Sequence, residues 1–146
     1  MTNKAFRKTL SANDVGSTGG HQGGILIPKS ETELLAFLPP LDPDTKNPNA
    51  WIDCEDETGK IRRFRLVYYN NKFHDERGTR NEYRITHMTK YLREVDAKEG
   101  EAIEIYRNGP LPPYRIRLIR SRQLTETIDN KDGFRIKLKS NWSRAH

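Results

Sequence analysis

Three charged side chains at alternate positions, Arg80, Glu82 and Arg84, are of types that read the edges of base pairs. An arginine can donate two hydrogen bonds to guanine, and a glutamate can accept one from the amino group of cytosine. Asn81, which lies between them, is of a type that can pair with adenine through two hydrogen bonds. Because side chains two residues apart on a β-strand share one face, the charged three would suit a G·C-rich major groove. A solvated edge strand of mixed charge is the alternative interpretation.

A second polar segment covers residues 11–24, which are dense in Gly, Ser, Thr, Asn and Asp and therefore predict a loop. Its five glycines permit close approach of the backbone to another molecule. Loops on a rigid scaffold often carry binding residues, although a surface loop without function is the alternative. The polar side chains that make this loop a candidate site are those of Asn13, Asp14, Ser17, Thr18, His21 and Gln22.

The composition of the chain favours an anionic partner. The 146 residues are enough for one domain with one core, and we expect residues 1–146 to form that domain. Hydrophobic residues make up 34% of the chain and charged residues 32%, with a formal net charge of +6. Nucleic acid is the simplest partner for so basic a chain. Arginine outnumbers lysine, which suits forked recognition of phosphate and guanine.

The sequence lacks the residue patterns of a catalytic site. Its single cysteine, Cys54, can form neither an internal disulfide nor a cysteine zinc site, and its apolar strand predicts a buried, unreactive thiol. The four histidines are scattered, and the three Asp-x-Lys tripeptides lie in predicted loops without paired strands to hold a metal. The sequence contains no nucleotide-binding or serine-nucleophile motif, and its apolar runs are too short for a membrane span or signal peptide. We expect no catalytic site, metal, cofactor or membrane partner.

Strands dominate the predicted elements that would position the candidate residues. Alternating apolar positions and turn signals indicate about seven strands and two short helices, arranged as a barrel or sandwich. Outward-facing arginines on these strands predict either phosphate contacts or a solvated sheet face, and they are Arg62, Arg63, Arg65, Arg115 and Arg117. The predicted strands are 24–27, 51–55, 61–69, 80–84, 102–106, 114–119 and 134–138, with residues 1–9 as a loose arm or a further strand. The predicted helices are 31–38, opened by a capping box of Ser30 and Glu33, and 86–93.

Two segments resemble a known family. Residues 11–28, SANDVGSTGGHQGGILIP, resemble the first DNA-contacting arm of the amino-terminal, effector-binding domain of EcoRII-like type II restriction endonucleases. Residues 79–86, TRNEYRIT, resemble its second arm, and Tyr68, Tyr69 and Asn70 match the segment that leads to this arm. The resemblance covers about residues 9 to 90, and the two motifs together are far more specific than either alone.

The resemblance implies a fold and a function. It implies a mainly β, open seven-stranded DNA-binding pseudobarrel with two short helices, as in the B-three-type domains of plant transcription factors. Two arms would grip double-stranded DNA from its major groove, at a CCWGG-like site in which W is A or T. The chain would then be the recognition domain of a type II restriction endonuclease in the cytoplasm of a prokaryotic cell. A nuclease domain of the same full-length protein would be its partner.

The resemblance also assigns roles to residues. The implied base-reading residues are Arg80, Asn81, Glu82, Tyr83 and Arg84 in the second arm and His21, Asn13, Asp14 and Gln22 in the first. The implied phosphate contacts are Lys8, Ser17, Thr18, Lys29 and Thr79. Three positions depart from the family pattern: Gly78 replaces a basic residue, Tyr83 a lysine and Leu26 an aromatic residue. These departures affect which bases the arms would contact and therefore which DNA sequence would be recognised.

Two other functions remain open at this point. An RNA-binding β-barrel would use aromatic side chains as stacking platforms, and the adjacent Tyr68 and Tyr69 could serve in that way. A small self-contained nuclease would need a carboxylate cluster that the sequence does not offer. Competition between duplex DNA and single-stranded RNA separates the first alternative, and magnesium-dependent cleavage separates the second.

Overall fold

The computed structural model describes residues 4–16, 24–107, 109, 113–120 and 142–145. Within them, eight strands and two short helices alternate with loops. The strands are β1 (Lys4–Thr9), β2 (Ile25–Ile27), β3 (Asn49–Glu55), β4 (Ile61–Tyr69), β5 (Glu82–Thr86), β6 (Ala102–Arg107), β7 (Tyr114–Ile119) and β8 (Trp142–Arg144). The helices are α1 (Thr32–Phe37) and α2 (Thr89–Glu94), and a single 3-10 turn covers Asn71–Phe73.

The strands form one sheet that curls until its edges meet. The strand order is β2-β5-β4-β3-β7-β6-β1-β8, and every pairing is antiparallel except that of β3 with β7. The outermost strands, β2 and β8, come together where the Trp142 indole Nε1 donates a hydrogen bond to the Leu26 carbonyl oxygen at 3.0 Å. A contact between the first and last strands of the order requires a barrel that is open along this seam.

The core fills the inside of this barrel, and both helices contribute side chains to it. Strand side chains that alternate inward, among them Phe64, Ile85 and Ile116, are almost fully buried. Each helix is only six residues long and therefore depends on tertiary packing for its stability. α1 contributes Leu34 and Phe37 to the core, and α2 contributes Tyr91 and Leu92.

The prediction of a mainly β chain with two short helices is confirmed, but several boundaries differ. β8 was not predicted, because three residues are too few for an alternating pattern to be recognised. The second helix, α2, begins at Thr89, three residues after its predicted start at residue 86. Thr86 still pairs with β4, and His87 has a left-handed φ of 69°, so neither belongs to the helix. The capping box does not form, since Glu31 occupies the N-cap of α1 without a side-chain bond. The predicted strand 134–138 lies outside the described residues.

Candidate nucleic-acid interface

The three charged residues of the second arm form a hydrogen-bonded row at the start of β5. Glu82 Oε1 accepts a bond from Arg80 Nε at 3.0 Å, and Glu82 Oε2 accepts one from Arg84 Nε at 2.8 Å. The three side chains are 40%, 27% and 24% exposed for Arg80, Glu82 and Arg84 respectively. One carboxylate therefore holds two guanidinium groups on the same accessible face, as the two-residue spacing predicts.

The charges of this row keep Glu82 ionised. Partial burial opposes its ionisation, but the hydrogen bonds and positive charges of Arg80 and Arg84 outweigh that effect and hold the pKa of Glu82 below its ordinary value. Arg80 also lies over the ring of Tyr69, with 3.6 Å from its Cζ to the ring centroid. Tyr69 is the partner of Glu82 in the β4–β5 pairing. The plane of the Arg80 guanidinium is thus fixed by the carboxylate and by the ring.

The two arginines differ in what their terminal nitrogens do. Arg84 Nη1 donates a hydrogen bond to the backbone oxygen of Gly24 at 3.0 Å, whereas the terminal nitrogens of Arg80 bond to nothing in the described part of the chain. Gly24, at the end of the first polar loop, has a φ of +92°, and a Cβ there would lie 2.7 Å from the Ile85 carbonyl oxygen. Only glycine fits so close to β5. The end of the first predicted arm is therefore in direct contact with the second.

The opposite face of the same strand carries a second set of contacts. Tyr83 stacks on its cross-strand partner Tyr68, with ring centroids 4.3 Å apart and an interplanar angle of 7°. Asn81 Oδ1 accepts hydrogen bonds from the Tyr68 hydroxyl at 2.6 Å and from Lys29 Nζ at 3.0 Å. Burial raises the pKa of Tyr83. Lys29, which follows β2, is thereby fixed beside the second arm.

The loop between β4 and β5 explains one departure from the family pattern. Asn71 Oδ1 accepts a hydrogen bond from the Arg80 backbone nitrogen at 2.8 Å, and Lys72 N donates to the Arg80 carbonyl oxygen at 3.1 Å. A Cβ on Gly78 would lie only 2.0 Å from the Asn71 carbonyl oxygen. The basic side chain expected at position 78 has no room here, because the turn at Asn71 packs directly against this backbone. Thr79, next to it, is exposed.

The base of the first arm is fixed by an internal ion pair. Asp14 Oδ2 accepts hydrogen bonds from Lys8 Nζ at 3.0 Å and from the Ser11 backbone nitrogen at 2.9 Å. The side chains of Lys8 and Asp14 are only 6% and 9% exposed. Lys8 is therefore too buried to serve as an exposed phosphate contact. Asp14 is bonded to Lys8 and is not exposed for reading a base. Asn13 is exposed, whereas Ser17, Thr18, His21 and Gln22 lie outside the described residues.

Four of the five outward arginines are paired with carboxylates and do not form an open positive surface. Asp53, Glu55 and Glu104 lie opposite Arg63, Arg115 and Arg117 in the strand register, and each pair is within 3.1 Å. Arg62 bonds to Asp56 and Glu94 and is 11% exposed. Arg65 has no carboxylate partner among the described residues. The sequence showed the arginines but could not show which carboxylates the pairing brings opposite them.

Chemistry other than hydrogen bonding and charge is not evident in the described part of the chain. It holds no cluster of three His, Cys, Asp or Glu side chains that could bind a metal ion. Cys54 is buried, and burial raises the pKa of its thiol to about 12, so the thiol stays protonated. None of the described helices is long and apolar enough to cross a membrane.

Comparison with known proteins agrees with this architecture. The TM-score is 0.64 against the UbaLAI restriction endonuclease B3 domain solved with cognate DNA, at 19% identity, covering 97% of this chain and 86% of that one. It is 0.58 against the Arabidopsis FUS3–DNA complex, at 21% identity, covering 79% and 95%. These similarities establish a pseudobarrel fold of the B3 type. The described residues form eight strands, whereas the predicted seven include strand 134–138, which lies outside them.

Sequence comparison identifies the family. The chain is 39% identical over 89 residues to the type II restriction enzyme EcoRII of Escherichia coli, a match that covers 56% of this chain and 20% of that enzyme. The chain thus spans about a fifth of this relative. The family described as restriction endonuclease EcoRII, N-terminal, matches residues 2–106. The chain belongs to the family of EcoRII amino-terminal domains.

Proposed function

We propose that this chain binds double-stranded DNA sequence-specifically through two arms in the major groove, as the target-recognition domain of a type II restriction endonuclease. The observation that carries the proposal is the Arg80–Glu82–Arg84 row, which lies against the end of the first arm at Gly24. Family membership supports it, and so do two similar folds that were solved with DNA. A nuclease domain of the same full-length protein is the proposed partner, and the cytoplasm of a prokaryotic cell the proposed location.

The row is arranged for reading G·C pairs. Arg80 keeps both terminal nitrogens for the O6 and N7 atoms of a guanine, while its Nε and its ring contact hold it in place. Arg84 has Nη2 left for a second acceptor. Each Glu82 oxygen accepts one arginine bond and can accept a further one from a cytosine amino group. Since these groups are already ordered, little side-chain entropy is lost on binding. A CCWGG-like site supplies both base types.

The remaining predicted residues take supporting roles in this proposal. His21, Gln22 and Asn13 read bases from the first arm, and Tyr83 borders the groove from the second. Ser17, Thr18, Lys29 and Thr79 contact phosphates. Lys8 and Asp14 act as positioning residues, because their internal pair holds the start of the first arm.

A binding assay on two short duplexes tests the proposal. One duplex carries CCWGG and the other a permuted site of the same composition, each titrated at several stated salt concentrations. We expect tighter binding to the first, and a salt dependence of about 0.9 log units in affinity per log unit of salt for each phosphate contact. Equal affinity for both duplexes and for random sequences would contradict sequence-specific recognition by this site.

The two other functions gain less from the structure. The tyrosine platform expected for RNA is occupied within the protein, since Tyr68 stacks on Tyr83 and Arg80 covers Tyr69. Single-stranded RNA should therefore compete poorly with duplex DNA. We propose that the chain has no catalytic site of its own, so that adding magnesium to the complex should leave the duplex uncut.

A further inference from the structure

The amide oxygen of Asn81 is fully occupied within the protein. Lys29 Nζ, 3.0 Å away, can only donate a hydrogen bond, so the atom that faces it must be the amide oxygen and not the nitrogen. The Tyr68 hydroxyl, at 2.6 Å, supplies a second donor to the same oxygen. An amide oxygen has two lone pairs, and both have a partner here. The side chain is therefore held in one of its two flip states.

The amide nitrogen of Asn81 faces the other way. Nδ2 donates to no acceptor in the described part of the chain, and it is not buried. A half-buried side chain with an unbonded, unburied nitrogen must present that nitrogen to solvent. Asn81 stands between Arg80 and Glu82, directly before β5, whose side chains carry the proposed recognition.

We infer that Asn81 is a donor-only residue, which contacts a hydrogen-bond acceptor on DNA and cannot form the two-bond contact with adenine. The inference rests on the proposed function and deepens it. Pairing of asparagine with adenine needs an acceptor and a donor together, and the acceptor is not available. The acceptors that fit are guanine O6 or N7, thymine O4, or a phosphate oxygen. Adenine fits less well, because it offers only N7 and places its N6 amino donor beside it.

The substitution Asn81→Asp tests which groups are presented to DNA. Aspartate can still accept from Lys29 and Tyr68, but it turns an oxygen towards the DNA where the amide offered N–H groups. Sites are selected from a randomised duplex library by the full chain in each form. If Asn81 contacts a base, the wild type should favour guanine or thymine at one position of the selected sites, and Asn81→Asp should favour cytosine or adenine there. The affinity of Asn81→Asp for the original site should fall about threefold or more.

If Asn81 contacts a phosphate, the selected bases stay the same and affinity falls on all sites. One methylphosphonate in the duplex should then reproduce that loss with the wild type and add nothing with Asn81→Asp. Asn49→Asp is the matched control, because it adds the same charge at an exposed position on β3. Thermal unfolding of both variants shows that the chain still folds.

Removal of the two donors provides a second test. In the double variant Tyr68→Phe with Lys29→Met, the stacked ring is retained but the amide is free to turn. Discrimination against adenine at the Asn81 position should then fall severalfold, which loss of a phosphate contact alone would not cause. A wild type that prefers adenine at an Asn81-dependent position, or no change in affinity or preference in Asn81→Asp, would overturn the inference. Absence of any sequence preference in the wild type would instead refute the proposed function.

Discussion

Replacement of Glu82 by glutamine should change specific and non-specific binding in opposite directions. The carboxylate accepts one bond from Arg80 and one from Arg84, and in the proposed complex it also accepts from a cytosine amino group. A glutamine offers one oxygen and one NH2 group, so one of the two arginines would face a donor and lose its position. Loss of this base contact and of the arginine placement should cost about 1–3 kcal/mol on the cognate site, which is about 5-fold to 150-fold in affinity.

The effect on other sequences has the opposite sign. Glu82→Gln raises the formal net charge of +6 by one, which strengthens attraction to any phosphate backbone. Non-specific affinity should therefore stay equal or rise while cognate affinity falls. The protein should remain folded, because partly exposed ion pairs contribute about 1 kcal/mol or less each.

Fluorescence anisotropy on a CCWGG duplex and a permuted duplex, at one fixed salt concentration, measures both effects. Glu76→Gln is the matched control, since Glu76 is exposed in the loop between β4 and β5 and its substitution changes the charge by the same amount. A rise in affinity for both duplexes by the same factor in the two variants would refute the reasoning. Glu82 would then act only as a surface charge.

Three further predictions follow from the same contacts. Arg80→Ala should weaken cognate binding by about 1–3 kcal/mol and spare non-specific binding. Arg84→Ala should have the same effect and should also speed hydrogen exchange near Gly24, because the Arg84 side chain bonds to the Gly24 carbonyl oxygen. Equal exchange in the two variants would contradict the arm contact. Gly78→Ala should destabilise the fold by about 1–3 kcal/mol in thermal or chemical unfolding, because the added Cβ meets a backbone oxygen at 2.0 Å; an unchanged midpoint would show that the turn can move. Because the pKa of Glu82 in the folded protein lies below its ordinary value of 4.5, the pairing of Glu82 with the arginines stabilises the fold at pH values above 4.5. This contribution is lost as the pH falls through the lower pKa of the folded state. The stability difference between wild type and Glu82→Gln should therefore shrink in acid titrations below about pH 4, and a difference that is constant with pH would contradict the ion-pair assignment.

Local patterns in the sequence were sufficient for much of the fold and for one face of the site. Alternation of apolar and charged residues identified β7, where Tyr114 and Ile116 are buried and Arg115 is exposed. The same period of two put Arg80, Glu82 and Arg84 on one face. These features depend on neighbours one or two positions away, and a strand's geometry fixes such relations before any tertiary contact forms.

Tertiary structure decided which partner each polar group has. Arg84 bonds to a residue sixty positions earlier, Lys29 reaches Asn81 across fifty-two, and the indole of Trp142 closes the barrel onto β2 across one hundred and sixteen. Residue types and spacing contain no information on such contacts, because they depend on strand order and register. The sequence therefore determined which side chains are available for recognition. Only the fold determined that Glu82 holds two arginines, that Lys8 is committed internally, and that Asn81 can act as a donor alone.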